Sequence, residues 1–554
     1  MSLLLVRILA SRCKMREIAQ TQSFKDLVHF GYIYIDKTEQ IFNLLKTRRV
    51  FISRPRRFGK SLMLDTIGTL FEFGVDPYFK GTWIYSKWTD ITYPVLRFDF
   101  LKYTNDYDTF RNMLCKNIWS FARKLNIRDE ITSDVSTVEV LFDLFQALNN
   151  HGIRIVILID EYDAQLTANM NNPDIYEKFR IELRNLYGVM KGDPSIRFLC
   201  MTGVTRLKDV SVFSVGYDIK DLSYHQPVSA VAGFTRAEIR KYYIDYINLA
   251  VSLDKGIPEE QVTEGQRDAL LDRLSEEYDG YCFDKFYEKK VFSTWSVNSF
   301  FQEVIENQRV VFGDYWYENG GVPSVLENYL QTHDIQISEM LFENNNVSCS
   351  ISDFLNPTSL LTMNEKVLMC QSGYLTIDSP LEGEGLNVIL KIPNREVFRA
   401  LARLISRKVF QKYKKPTLLW RNVLAKGSTE QIVSELNLIF NTISYEKYPV
   451  SNEKVFQGYL HIFLIGARQP VFTEVQSSAG RADIVLEYPQ RRLVFELKYA
   501  KTDAECEKRL LEAVEQIKTR RYGEVSPQKK CMKLALVFNG DPKTRKITHY
   551  AEVR

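Results

Sequence analysis

The chain has little of what gives a protein's chemistry away at a glance. Its eight cysteines (Cys13, Cys115, Cys200, Cys282, Cys349, Cys370, Cys506 and Cys531) contain no Cys-x-x-Cys pair, and its six histidines are equally scattered. That pattern argues against a zinc site and reads most simply as reduced thiols. No uninterrupted apolar stretch is long enough to cross a bilayer. The start, Leu3 to Ala10, is apolar but broken by Arg7 and has no charged segment ahead of it, so it does not read as a signal peptide. A cytoplasmic location is expected, or a nuclear one in a eukaryote, with no membrane partner. Internal repeats and low-complexity tracts are missing too. A net charge of only +4 neither demands a nucleic-acid partner nor excludes one, because a basic groove can sit on a neutral whole.

What is present points to several soluble domains. A length of 554 residues is too great for one ordinary core, and 13% aromatic residues are enough to fill large ones. Residues 1–15 read as an N-terminal extension, closed by a second methionine, Met15. Residues 16–224 alternate short apolar strands with amphipathic helices, the pattern of a parallel α/β sheet. Residues 225–325 read as a helical lid. Its first helix follows Gly233-Phe234-Thr235, with Thr235 and Glu238 spaced as a capping box. Residues 326–430 read as helices followed by two short strands, Tyr374 to Ile377 and Val388 to Ile392, which suits a winged helix or a simple connector. Residues 431–554 read helix, strand, strand, strand, helix, strand, as in an α/β restriction-endonuclease-like domain.

The first chemical signal is the strand Val50 to Ser53, then Arg54-Pro55-Arg56-Arg57-Phe58-Gly59-Lys60-Ser61, then an apolar helix through Phe71. A Gly-Lys-Ser at a strand-to-helix turn can hold phosphate oxygens on backbone N–H groups, bring a lysine to the β and γ phosphates, and offer a hydroxyl to Mg2+. The full motif wants glycine where Arg54 stands. The second signal is Ile155 to Ile159, an apolar run ending in Asp160-Glu161-Tyr162-Asp163. An aspartate ending a central parallel strand faces the crevice where it can hold Mg2+, and the adjacent Glu161 is placed to polarise an attacking water. Each signal alone is also compatible with a solvated turn or a strand ended by surface acids. A third strand, Phe198 to Met201, leads to Thr202 and Arg206. Thr202 can sense a γ phosphate, and Arg206 can do so in cis or across a homo-oligomer contact. The candidate ATP set is therefore Arg57, Gly59, Lys60, Ser61, Asp160, Thr202 and Arg206, with Glu161 catalytic and Ser61 and Asp160 on the metal.

These residues resemble a known family. Phe30-Gly31-Tyr32-Ile33-Tyr34-Ile35-Asp36-Lys37-Thr38, the run Arg54 to Ser61, and Asp160 to Asp163 look like the AAA-ATPase-like family often fused to a C-terminal nuclease domain. The likeness continues in Glu277-Tyr278-Asp279-Gly280-Tyr281, in Trp295-Ser296-Val297 and in Gln371-Ser372-Gly373-Tyr374-Leu375. Members commonly carry Arg-Pro-Arg-Arg-Phe-Gly-Lys in the loop, so Arg54 is a feature of the group. The resemblance implies a P-loop NTPase-type sheet and ATP as cofactor.

The C-terminal signal is Gly480-Arg481-Ala482-Asp483 followed by Leu493-Val494-Phe495-Glu496-Leu497-Lys498. Residues i and i+2 on a strand share a face, so Glu496 and Lys498 project together, and a hairpin would bring Asp483 beside them. Two carboxylates and a lysine on a sheet surface can support metal-assisted phosphodiester cleavage, with Asp483 and Glu496 on Mg2+ or Mn2+, the Leu497 carbonyl as a further oxygen, and Lys498 orienting the water or stabilising developing charge. A salt-bridge ladder along the hairpin is the bland alternative. Leu510, Val514 and Ile517 form the apolar face of a following helix, with Gln516 near Arg520, Arg521 and Tyr522. The segment Asn452 to Phe538 resembles the PD-(D/E)XK nuclease superfamily. That resemblance implies Asp483, Glu496 and Lys498 as the core, Glu453 and Gln516 as auxiliaries, and Glu474 as a weaker candidate. The leading expectation is an ATP-regulated, metal-dependent nuclease acting on nucleic acid, DNA before RNA. The alternative is a nucleotide-dependent switch or scaffold that binds nucleic acid without cutting it.

Overall fold

The computed structural model describes residues 15–134, 136–207, 219–316, 324–333, 346–357, 359–381, 386–411, 417–477, 480–520 and 529–553. The described residues through Val397 form one unit and those from Phe398 a second, the boundary falling inside the helix Arg395–Val409.

In the first unit, β1 (Arg49–Ser53), β2 (Val95–Asp99), β3 (Ile155–Asp160), β4 (Ile196–Gly203) and β5 (Lys220–Asp221) form a parallel sheet in the order β2-β3-β4-β1-β5. Every residue of β1 and β3 is buried. Strands covered on both faces must be apolar throughout, which is why these segments read as unbroken apolar runs rather than alternating ones. The sheet order puts β4 between β1 and β3, so Thr202, in register with Ile52, lies between the phosphate loop and the acids that end β3. Helix α1 (Lys60–Phe73) leaves the loop at Gly59, whose φ of 92° is left-handed backbone that a side chain would strain. Helices α2 (Tyr107–Lys124), α3 (Thr137–Asn150) and α4 (Pro173–Met190) accompany the sheet.

The helical lid comprises α5 (Arg236–Tyr242), α6 (Ile244–Lys255), α7 (Glu264–Tyr278) and α8 (Thr294–Asn307), with the short pair β6 (Tyr281–Cys282) and β7 (Lys290–Val291) between α7 and α8. The capping box at Thr235 and Glu238 is present. The lid core of Ile239, Tyr243, Ile247, Leu271 and Phe300 also takes in Ile18 and Ile35, so the N-terminal segment runs along the lid.

Next come α9 (Ser324–Thr332), β8 (Asn346–Ser350), α10 (Ile351–Leu355), α11 (Glu365–Ser372), β9 (Thr376–Ile377) and β10 (Asn387–Lys391), with the antiparallel sheet order β8-β10-β9. This is the element order of a winged helix, and it adds a strand, β8, that the polar sequence Asn346-Val347-Ser348-Cys349-Ser350 did not announce. In a winged helix that reads DNA, the recognition helix is exposed to enter a groove. Here the corresponding helix, α11, has Val367 to Ser372 buried.

The second unit holds α12 (Thr429–Phe440), α13 (Glu453–Gly466), β11 (Val471–Ser477), β12 (Gly480–Glu487), β13 (Arg491–Ala500), α14 (Cys506–Thr519), β14 (Lys530–Asn539) and β15 (Lys546–Val553). The strands form one sheet in chain order, antiparallel except for the parallel pair β13–β14. Ala513 and Ile517 of α14 pack on Val494 and Ala535, while Phe440 and Phe456 from α12 and α13 pack on Phe538. β15 goes beyond the expected element order.

The residue that departs from the phosphate-loop motif holds the first unit together. Arg54 is 1% exposed, and its guanidinium donates to the carbonyls of Ser53 (2.8 Å), Ser223 (2.7 Å) and Ser229 (3.2 Å) while lying 4.2 Å from the Phe283 ring centre. Burial lowers its pKa to about 10, which leaves it charged at neutral pH. Arg54→Gly, which restores the motif's nominal glycine, is expected to cost about 3 kcal/mol by stranding buried carbonyls and opening a cavity. Equilibrium urea unfolding of the two proteins measures this, and an unchanged midpoint would refute it.

Candidate nucleotide and nuclease sites

A cavity of about 410 Å3 lies between the phosphate loop, the N-terminal segment and the lid. Arg56 to Met63 line one side, Ile33, Tyr34, Ile35, Lys37 and residues 19–22 another, and Phe234, Tyr243, Trp295 and Asn298 of the lid a third. Four cationic side chains, Lys37, Arg56, Arg57 and Lys60, line it against a single carboxylate, Glu161. Lys37 is offset by Glu238, which accepts its ammonium at 2.6 Å.

The predicted phosphate-binding residues converge. Lys60 turns back onto its own loop, donating to the carbonyls of Arg54 (2.9 Å) and Pro55 (3.2 Å), and pairs with Glu161 at 3.1 Å. Glu161 adopts φ 51°, a left-handed conformation that a non-glycine residue holds only at a cost. Asp160 accepts the Thr202 hydroxyl at 2.5 Å and also the Ser61 hydroxyl. Burial, then Glu161, raises the Asp160 pKa, and the two hydroxyls oppose them. Ser61 and Asp160, the expected metal ligands, are thus in contact and border a second cavity of about 490 Å3. Asp99, in register with Asp160 at the end of β2, lines that cavity and was missed by sequence reasoning, because nothing in Arg97-Phe98-Asp99-Phe100 marks it.

Arg57 and Arg206 are placed differently. The Arg57 guanidinium stacks 4.1 Å from the Trp295 ring centre, and its carbonyl accepts the Thr294 hydroxyl at 2.8 Å. Arg206 is not among the residues lining the cavity. Its guanidinium pairs with Asp221 at 2.5 Å, and its backbone N–H donates to Gln371 Oε1 at 3.0 Å. In this arrangement Arg206 braces β5 and α11. The sequence marks Trp295 and Gln371 only through the family resemblance and gives them no role. They are the residues that hold the loop and the segment after β4.

In the second unit, the β12–β13 register pairs Ile484 with Phe495, which brings Asp483 next to Glu496 one step along. Asp483 Oδ2 accepts the Leu497 N–H at 2.8 Å. Lys498 Nζ donates to Glu496 Oε1 at 3.2 Å and to Glu453 Oε1, on the first turn of α13, at 3.1 Å. Asp483, Glu496, Lys498 and Glu453 therefore form one cluster. Gln516 lies half-buried on α14, and among the described residues no hydrogen bond joins it to that cluster. The Glu474 side chain, Arg521 and Tyr522 lie outside the described residues.

The cluster was expected on a sheet surface, yet Glu496 is 0% exposed, because β13 is covered on both faces. Among the described residues its Oε2 has no hydrogen-bond partner. Burial, then the charge of Asp483, raises its pKa to about 7, while burial raises that of Asp483. An orphaned buried carboxylate oxygen beside a second carboxylate suits a hard divalent cation, which would supply the missing positive charge. Among the described residues no group of three or more His, Cys, Asp or Glu is gathered for metal, so Asp483 and Glu496 would leave most coordination positions to backbone oxygen, water or substrate.

A parallel sheet of this order, with Gly-Lys-Ser leaving its fourth strand in space and an acid ending its second, defines the P-loop ATPase class. Residues 19–213 match the family model described as "Predicted AAA-ATPase", and residues 451–549 match the PD-(D/E)XK nuclease superfamily. The chain thus carries an AAA-ATPase-like domain followed by a PD-(D/E)XK nuclease-superfamily domain. An "Uncharacterized protein in vnfD 5'region" of Azotobacter chroococcum mcd 1 is 25% identical over 524 residues, covering 89% of this chain and 90% of its own length. Among solved structures, Cdc6p of Pyrobaculum aerophilum is similar over 67% of this chain and 93% of its own, with 12% identity and a TM-score of 0.21. The Aeropyrum pernix ORC1 protein, solved in complex with DNA, is similar over 67% of this chain and 94% of its own, with 11% identity and a TM-score of 0.26. Scores this low leave the strand order itself as the ground for the fold.

The raised pKa of Glu496 means that its ionised form costs folding energy. The cost is absent below pH 4.5 and grows as pH rises through about 7. In metal-free protein, Glu496→Gln is expected to stabilise at pH 8 by about 1 kcal/mol, or roughly 4 °C in Tm, with the gain vanishing near pH 5. Thermal unfolding at the two pH values checks this. A loss of stability at pH 8 would show that the carboxylate is satisfied.

Proposed function

We propose that the chain is an ATP-binding and ATP-hydrolysing protein whose C-terminal module cuts nucleic-acid phosphodiester bonds with a divalent metal ion. The observation that carries the nuclease reading is the clustering of Asp483, Glu496 and Lys498, with one Glu496 oxygen that has no hydrogen-bond partner among the described residues. The ATP reading rests on the cationic cavity built on Gly59-Lys60-Ser61.

In the ATP site, Lys60 is satisfied by its own loop and by Glu161. A bound triphosphate offers Lys60 stronger partners than two carbonyls, and drawing it away releases the Glu161 carboxylate to take a proton from water. Ser61 and Asp160 would hold the Mg2+ that neutralises the phosphates. Thr202, hydrogen-bonded to Asp160, is positioned to register whether the γ phosphate is present. In the nuclease site, Asp483 and Glu496 would hold Mg2+ or Mn2+, which supplies Lewis acidity and an acidified water when bound. Lys498, kept protonated by Glu453 and Glu496, offsets charge on the phosphate.

Nucleic acid is the partner this chemistry fits, and DNA is the first substrate to test. Among the described residues no helix is long and apolar enough to cross a membrane. One observation favours the scaffold alternative: Lys498 is already paired with Glu453 and Glu496.

Single- and double-stranded DNA and RNA, incubated with Mg2+ or Mn2+ and with or without ATP, provide the test. Cleavage should depend on metal, disappear in Asp483→Ala, and fall by roughly 10²–10³-fold in Lys498→Ala. Nucleic-acid binding without cleavage in the wild type would establish the scaffold instead. ATP with Mg2+ should raise the thermal midpoint of the wild type and not of Lys60→Ala, because a ligand stabilises the state it binds. Equal stabilisation of both would reject the phosphate loop as the binding site.

A further inference from the structure

Phosphoryl transfer from ATP is greatly accelerated by an arginine on the γ phosphate beyond lysine and metal, and in this sequence Arg206 is the expected source. The structure commits Arg206 elsewhere, in a pair with Asp221 away from the cavity. Arg54 is buried in the protein frame, and Arg57 is stacked on Trp295. One arginine of the loop remains.

Arg56 is half-buried and lines the cavity between the phosphate loop and the lid with Lys60 and Glu161. It also borders a small neighbouring cavity with Glu161, Asp163, Thr167 and Val204, so it stands on the side of the loop where the acids and the segment after β4 meet. Among the described residues no hydrogen bond or ion pair holds its guanidinium. Its backbone, by contrast, is fixed. The Arg56 carbonyl accepts the Trp316 indole N–H at 3.4 Å, and Pro55 before it faces Gly373, where an added Cβ would come within 2.8 Å. A half-buried, unpaired cation next to another arginine is unfavourable without an anion, and the Arg57 pKa is lowered by burial and then by Arg56. Five donors on an anchored backbone, facing a cavity with a cationic lining, match the equatorial oxygens of a phosphoryl group.

We propose that Arg56 is the arginine that neutralises the γ phosphate during hydrolysis, acting in cis from within the phosphate loop. The proposal rests on the ATP-hydrolysing reading above. A water oxygen bonds to the γ phosphorus and gives its proton to Glu161. The bond between the γ phosphorus and the bridging oxygen breaks, and its electron pair leaves with ADP. The Arg56 guanidinium donates to the γ-phosphoryl oxygens throughout and is neither protonated nor deprotonated. It does not contact ADP once phosphate has gone.

The full-length chain, its Arg56→Ala and Arg56→Lys variants, and Lys60→Ala are compared for steady-state hydrolysis and for ATP and ADP dissociation constants. Arg56→Ala should lower turnover on the order of 10³-fold, the scale of other arginines in this role. ADP affinity should stay within about threefold, since a residue acting only on the transferred group leaves product binding alone. Arg56→Lys should recover part of the rate, and free guanidinium ion should accelerate Arg56→Ala but not the wild type. Turnover of Arg56→Ala equal to that of an active wild type overturns the proposal and leaves the ATP reading intact. An ADP affinity that falls as far as the rate also overturns it, because Arg56 would then only shape the loop. So does regained turnover when Arg56→Ala and Lys60→Ala are mixed, since the arginine would then come from a neighbouring copy. A wild type that does not hydrolyse ATP overturns this proposal, and one that does not bind ATP overturns the ATP reading with it.

Discussion

The first unit depends on one buried cation. The Arg54 guanidinium gathers carbonyls from the end of β1 and from residues 223–229, which lead away from β5, and it lies on Phe283 beyond β6. Chain segments far apart in sequence thus meet on a single side chain that cannot lose its proton at neutral pH. A glycine there would give the loop freedom to turn. The arginine gives it a fixed base instead, and the neighbouring contacts follow from that choice. Phe58 packs edge-on against Tyr281 and Phe283, its carbonyl accepts the Gly233 N–H, and Arg57 stacks on Trp295. The lid is therefore tied to the loop rather than draped over it.

The two sites handle uncompensated charge in opposite ways. In the cavity at the phosphate loop the excess is positive, and the protein satisfies much of it internally, with Lys60 on carbonyls and Glu161 and with Lys37 on Glu238. In the nuclease-type cluster the excess is negative and is left in place. Among the described residues Glu496 keeps an oxygen without a partner although Lys498 is 3.2 Å from the other one. Leaving such a group unpaired costs stability, and a protein tolerates that where a ligand completes the set.

Much of this was legible in the sequence, for identifiable reasons. β1, β3 and α1 carry apolar runs and a Gly-Lys-Ser turn whose physics is local, so their positions follow from short windows. The hairpin β12–β13 is equally local, and its pleat fixes which residues share a face. The environment of that face was misjudged, since β13 is packed by α13, which precedes the hairpin in the chain, and by α14, which follows it. Arg206 illustrates the same limit. Its place after β4 suggested a phosphate sensor, but its partners Asp221 and Gln371 are 15 and 165 residues away. β8 was missed because its alternation of Asn, Ser and small residues makes a strand only once β10 lies beside it.

The contact between Pro55 and Gly373 bears on how such a protein can be inherited. Gly373 has φ 90° and no room for a side chain against the loop, and Trp316 reaches the same loop from another direction. The stretch matched by the ATPase model ends at residue 213, well short of both. A recombination event that moved only that stretch between genes would carry the phosphate loop away from the surfaces moulded to it. The compact unit that holds both contacts runs to Val397, so the loop and the surfaces moulded to it stay together only when that whole unit is kept.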